Sequence, residues 1–280
     1  MKLISDILPK PSIDEKVRAL KDAEKMSFEN GLTTVSVAGL NKDDIYIIDS
    51  LQKSGELTIR VYAMISNTKD NFEHFLSNGP FITDKLTVRS FKVYADGALG
   101  SRGAALKSNY SDLKKHRGSF ITSKDSLENL AYKLASTSFQ MNTHAIGDDA
   151  NKTVLEAYNK ALVFSDDPRW RIEHAQIIDT SDIKLFNRKI IPSVQPTHAT
   201  SDMYWAEERI GANRLEGAYA YKKLLDMSGR IALGTDFPVE EVSPLLTFFA
   251  AVARQDENLF PEGGFLHENK LSRIEALSGM

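Results

Sequence analysis

The sequence predicts an α/β chain, specifically an incomplete (β/α) barrel of the TIM type with about seven of its eight strands present. Two observations lead there. Short β-branched or apolar runs alternate along the chain with longer amphipathic segments, the pattern of parallel strands joined by helical crossovers. The polar residues with chemical potential fall at the C-terminal ends of successive runs, and in an α/β barrel all of those ends open into one mouth.

The strand candidates are 33–38, 57–65, 88–95, 139–145, 170–177, 190–195 and 231–234. Each is short and apolar enough to be buried on both faces, as parallel strands covered by helices are. Ahead of them, Ser12-Ile-Asp-Glu15 forms a capping-box pattern after Pro11, Val17, Leu20 and Ala23 follow at helical spacing, and Gly31 stops the helix. Leu127, Leu130, Ala131 and Leu134 make a second helical stripe. Val154, Leu155, Tyr158, Ala161 and Leu162 make a third, with Asp148 or Asp149 as its cap. After the last strand, Ser243-Pro244 opens a helix whose stretch 245–253 reads as buried, and Ser272-Arg-Ile-Glu275 is another capping box. Residues 109–117 read as a polar surface loop. No linker or low-complexity segment divides the chain, so 1–280 is expected to be a single partial barrel domain. An open doubly wound sheet could hold seven strands, whereas a closed barrel of this kind wants eight.

A chain of 280 residues, 42% of them hydrophobic, can bury a large core and has the usual size of one α/β barrel. A net charge of -3 creates no field that would gather nucleic acid or anionic lipid, so neither is expected as a partner and a small-molecule substrate is. No apolar run approaches the roughly 20 residues that span a bilayer. With no cysteine there is neither a disulfide framework nor a thiolate ligand, and any metal must be held by histidine, carboxylate or a lysine-derived oxygen. Cysteine usage leaves the compartment open, with the cytoplasm as the default expectation.

Four strand ends supply the chemistry. Lys92 lies in Phe91-Lys-Val-Tyr-Ala-Asp96, His144 in Met141-Asn-Thr-His-Ala-Ile-Gly147, His174 in Arg171-Ile-Glu-His-Ala-Gln176 and Asp236 in Leu233-Gly-Thr-Asp-Phe-Pro238. Two neutral imidazoles and a carboxylate suit a divalent metal, Zn²⁺ first and Fe or Mn next, with positions open for water. Such a centre brings the pKa of its water towards 7, and a neighbouring carboxylate, here Asp236, can take the proton as a carbonyl is attacked. Lys92 becomes a ligand only if its neutral amine is converted by CO₂ into a carbamate. Each residue also has a plainer role: a strand-end histidine satisfied by a backbone group, Asp236 as a turn cap, Lys92 with its stem along the barrel rim. Occurrence at four successive strand ends favours the metal. Arg102, in the glycine-bearing loop after the Lys92 strand, is a candidate for an anionic substrate group, with Asp96 beside it, and His198 for polarising or contacting substrate. His74, His116 and His267 lie in polar or loop contexts and are assigned no catalytic part.

On these residues the sequence resembles the YtcJ-like branch of the amidohydrolase superfamily, which includes N-substituted formamide deformylases. The matching stretches run from Phe91 to Leu106, Thr143 to Asp148, Arg171 to Gln176, Ser193 to Asp202 and Leu233 to Val239, in the family's order. The resemblance covers nearly the whole chain from about Pro11. It implies a TIM-type barrel hydrolysing C–N bonds other than peptide bonds in a small amide or N-formyl substrate. Lys92 then looks like the bridging lysine, His144 and His174 like metal ligands, and Asp236 like the strand-eight acid. Members usually open the barrel with a His-x-His pair on strand one after part of a β-sandwich, and no His-x-His occurs here. The expectation is therefore a piece of a longer enzyme without strand one and its flanking sandwich, impaired by itself, with a free sheet edge open to self-association. Two other readings stand beside it: a non-catalytic barrel remnant that binds a small molecule or partner, and a lyase or aldolase using Lys92 as a Schiff-base nucleophile.

Overall fold

The computed structural model describes residues 9–280. The chain opens with helix α1 (Ile13–Glu29), where the capping box closes as expected: Ser12 Oγ accepts from the Glu15 amide and Glu15 returns a carboxylate oxygen to the Ser12 amide. Strand β1 (Thr34–Leu40), helix α2 (Lys42–Ser54), strand β2 (Arg60–Ser66), helix α3 (Lys69–Asn78) and a two-residue strand β3 (Phe81–Ile82) follow. Then come β4 (Leu86–Tyr94), α4 (Lys124–Ala135), β5 (Gln140–Ala145), α5 (Asp148–Ala161), β6 (Trp170–His174) and β7 (Ile190–Val194). The last part holds α6 (Pro196–Asp202), α7 (Ala206–Ile210), α8 (Ala212–Leu215), α9 (Tyr221–Ser228), β8 (Ala232–Leu233), α10 (Pro244–Ala253) and α11 (Arg273–Gly279).

Seven parallel strands pair in the order β1-β2-β4-β5-β6-β7-β8, and β3 lies antiparallel on β4. Among the described residues β1 and β8 each have a single strand neighbour, so the sheet curls into an incomplete barrel rather than closing. Its core is largely apolar, with Ser90, Lys92, Asn142 and Glu173 buried among the strands. Val88, Phe91, Met141 and Ile172 are all fully buried, and so are Leu127, Ala131 and Leu134 of α4 and Leu155 and Tyr158 of α5. Trp170 meets Tyr158 edge to face at 4.8 Å between ring centroids. Each large side chain buried in this way contributes about 1.5–3 kcal/mol.

Several local expectations are corrected. Strand 170–177 stops at His174, because His174 and Ala175 take left-handed backbone angles (φ 74° and 42°) that no ladder continues. Strand 57–65 starts only at Arg60, with Leu57 and Ile59 buried in the approach to it. Helix α5 is capped by Gly147; Asp148 is its first residue, and its carboxylate accepts instead from the Lys107 and Asp149 amides. A side chain at 147 is excluded, since a Cβ there would lie 2.0 Å from the Ala105 carbonyl oxygen. Helix α10 buries Thr247, Ala250 and Ala251 but leaves Leu245 76% exposed, so stretch 245–253 is half-buried rather than enclosed.

Candidate metal centre

Three elements converge at the C-terminal end of the sheet. β6 delivers His174, the first turn of α6 delivers His198, and the segment after β8 delivers Asp236. One ligand atom from each lies within 4.8 Å of the other two. His174 and Asp236 both adopt positive φ (74° and 55°), a conformation costing about 1–3 kcal/mol for a side-chain-bearing residue, of the kind that clusters at functional sites.

The outer contacts fix which ring nitrogen is free. His174 Nδ1 bonds the Gln195 side-chain oxygen at 2.8 Å, and His198 Nδ1 bonds a Glu240 carboxylate oxygen at 2.8 Å. Both oxygens accept, so each Nδ1 carries the hydrogen and each Nε2 is left with a lone pair. His198 Nε2 stands 3.9 Å from Asp236 Oδ2. The rings of His174 and His198 stack at 6.0 Å with 6° between their planes. Glu240 is itself held by the Ser201 hydroxyl at 2.7 Å.

Around this triad the groups are buried and strongly perturbed. His144 lies edge-on to His174, with ring centroids 4.5 Å apart. Its Nε2 is buried, has no hydrogen-bond partner among the described residues and lies 3.6 Å from Asp96. Burial, reinforced by the Lys92 charge, pushes His144 down to about 4. Burial also lowers His174 well below the ordinary imidazole range, followed by His144, Lys92 and His198. Neutral imidazoles are the ligating form. Lys92 is buried over the Tyr94 ring, its ammonium 4.9 Å from the centroid, and desolvation lowers its pKa against the attraction of Glu173 and Asp236. Glu173 is buried in turn and accepts from Arg171 at 2.7 Å.

Of the residues expected to act, the structure thus gathers His174, His198 and Asp236, with His144 and Lys92 adjoining. His198 joins the ligand geometry itself, where the sequence suggested only substrate contact. Arg102 is not brought in: its guanidinium lies on Asp112 through two bonds of 3.1 and 2.7 Å, and Arg209 pairs with the same carboxylate. Asp96 is fully buried beneath His144, and both its oxygens accept backbone amides, from Ile146 at 3.0 Å and from Ala105 and Gly147 at 2.8 Å. Glu240, Gln195 and Glu173 were not singled out from sequence. Gln195 and Glu173 lie inside quoted motifs, whereas Glu240 lies 42 positions from His198 and needs the fold to reach it.

The amidohydrolase family matches residues 1–278 of the chain. The protein LONG AFTER FAR-RED 3 of Arabidopsis thaliana is 28% identical over 270 residues, which is 91% of this chain and 46% of that protein. The Bacillus subtilis protein named as the amidohydrolase YtcJ is 34% identical over 182 residues, 65% of this chain and 34% of its own length. The chain therefore spans less than half the length of these curated relatives. The crystal structure of an uncharacterized metal-dependent hydrolase from Pyrococcus furiosus superposes with a TM-score of 0.84 at 25% identity, covering 99% of this chain and 56% of that one. With a match running through practically every residue from strand β1 to helix α11, this chain belongs to the amidohydrolase family.

Proposed function

We propose that the chain carries the metal-binding face of a metal-dependent hydrolase that cleaves C–N bonds other than peptide bonds in a small amide or N-formyl substrate. The observation that carries this reading is the meeting of His174, His198 and Asp236 within 4.8 Å, each imidazole presenting a free Nε2. The donor set fits a divalent ion, zinc above all: two neutral nitrogens, one carboxylate and open positions. His144 adjoins His174 edge-on, but its Nε2 turns towards the buried Asp96 at 3.6 Å, so the donor set rests on the three converging groups. When bound, the ion supplies an acidified water and a Lewis acid for the carbonyl.

The protein's own groups do the rest. Asp236, whose carboxyl is pushed up by partial burial and partly restrained by His198 and Lys92, is placed to accept the proton released during attack. Gln195 and Glu240 hold the two rings in register. Lys92, with its ammonium destabilised by burial, is the group disposed to carbamate formation. Three ligands from this chain support low turnover by the chain alone.

The test is zinc content and stability after dialysis. One equivalent retained, a thermal transition raised by zinc and lowered by chelator, and loss of both in a His174→Ala, His198→Ala double variant are expected; formate release from N-formyl amines reads turnover. Zinc retained equally by the double variant, or none retained by the native chain, overturns the reading.

A further inference from the structure

One helical turn beyond His198 on α6 stands Asp202, and residues four apart share a helix face with about 5–6 Å between their Cβ atoms. Asp202 is tied down on one side only. Its Oδ2 accepts from the Tyr219 hydroxyl at 2.7 Å and from Gln176 Nε2 at 2.9 Å. Among the described residues no protein donor bonds Oδ1. Gln176 belongs to the segment leaving β6, two residues after His174, and is braced by its own backbone carbonyl on the Tyr219 amide at 2.7 Å. An ionised carboxylate only accepts, so the Gln176 atom facing it must be the NH₂, and the amide oxygen turns away. Among the described residues that oxygen accepts no hydrogen bond either.

Two acceptors without protein donors thus sit on the same two segments that deliver His174 and His198. Such a pair complements a group with several N–H bonds and a positive charge. Gln176 and Tyr219 are almost wholly buried, so the pair is rigid. Burial pushes the Asp202 carboxyl up to about 6, which leaves it ionised at pH 8, and His198 is among the groups drawing it back down.

We propose that Asp202 and Gln176 form a substrate subsite for a primary ammonium or similarly donor-rich end, one helical turn from the metal-binding triad. The proposal rests on the hydrolase reading and names the substrate class it would take: amides whose amine portion ends in a second, charged amino group.

The probes are 1,5-diaminopentane, 1,4-diaminobutane and 1-aminopentane, titrated calorimetrically at pH 8 into the cobalt-loaded protein, with the cobalt visible spectrum reporting amine ligation. The native protein is expected to bind a diamine at least tenfold more tightly than the monoamine. Asp202→Asn, which keeps an acceptor for Tyr219, is expected to bring that ratio close to one with cobalt stoichiometry unchanged. Tyr219→Phe removes a brace without removing the charge and is expected to keep the preference. No preference in the native protein, or an undiminished one in Asp202→Asn, overturns the subsite. If cobalt does not bind, the metal reading has failed, and the same diamine-to-monoamine comparison on metal-free protein still decides the subsite. If Tyr219→Phe and Asp202→Asn lose the preference equally, the cluster is a structural brace and the proposal is wrong.

Discussion

Replacing Asp96 by asparagine tests how the protein tolerates a carboxyl group with no exposure at all. Two effects oppose each other there. Removal from water raises the carboxyl's pKa, and three backbone amides donating to it lower it. Burial wins, moving the group from 3.8 up to about 7. Each tenfold change in proton affinity is worth about 1.4 kcal/mol, so ionising Asp96 costs about 4 kcal/mol more in the folded chain than in the unfolded one. Between the two values the folded state holds more protons, and native stability must therefore fall as pH rises from about 4 to about 7. Asparagine has no such proton. It leaves at least one of the Ala105, Ile146 and Gly147 amides facing an NH₂, a penalty of about 1–3 kcal/mol for each orphaned amide, and that penalty does not vary with pH. His144 runs the other way, losing stability as pH falls from 6.5 towards 4, but it is common to both proteins. Urea unfolding of metal-free protein and of Asp96→Asn across this range should show the difference in unfolding free energy moving by about 4 kcal/mol in favour of the variant as pH rises. A difference that stays constant would refute the argument, and movement in the opposite direction would mean that the three amides outweigh burial.

Three further outcomes are expected. Glu240→Ala removes the acceptor that fixes His198 Nδ1 and should weaken zinc binding about 10- to 100-fold in metal-buffer titrations while leaving the secondary structure unchanged. Gly147→Ala drives a Cβ to 2.0 Å from the Ala105 carbonyl, a backbone atom that cannot swing aside, and should cost about 3 kcal/mol or more in denaturant unfolding. The side of β1 that has no strand neighbour among the described residues, with half-buried Val35 and Val37 alternating with exposed Thr34 and Ser36, is expected to support self-association. A lysine at Val37 should shift the sedimentation profile towards monomer, and no change in that profile would remove the edge as the contact.

Much of the fold was legible because parallel strands covered by helices read as apolar runs, and each of the seven runs yields a strand in the sheet. Against the expectation of burial on both faces, β1 has no buried residue and β8 only half-buried ones. Both capping boxes were legible for the same local reason, a hydroxyl and a carboxylate three residues apart. Strand ends were less so: a β6 that stops at His174 is set by a left-handed backbone that side-chain identity does not announce. The two-residue β3 carries no period at all. In the site, His174 and Asp236 could be placed because strand ends in this architecture point into one mouth. Arg102 and Asp96 lay in the same neighbourhood of sequence and are drawn elsewhere by partners that only the fold supplies, Asp112 for one and the amides of two separate loops for the other.

What the separate observations share is an electrostatic logic. Lys92, Arg171 and Glu173 lie inside the curled sheet beneath the histidines, where desolvation lowers Lys92 against the opposing attraction of Glu173 and Asp236. Burial is the main cause that lowers His144 and His174, and as a cation Lys92 adds to it. A divalent ion held by His174, His198 and Asp236 would repel that same ammonium and compete with it for Asp236 and Glu173, driving Lys92 towards its neutral amine. On the proposed reading, the buried lysine would favour neutral imidazoles and would give up its proton more readily once an ion bound beside it. A solvent-exposed lysine, screened and stably charged, could do neither.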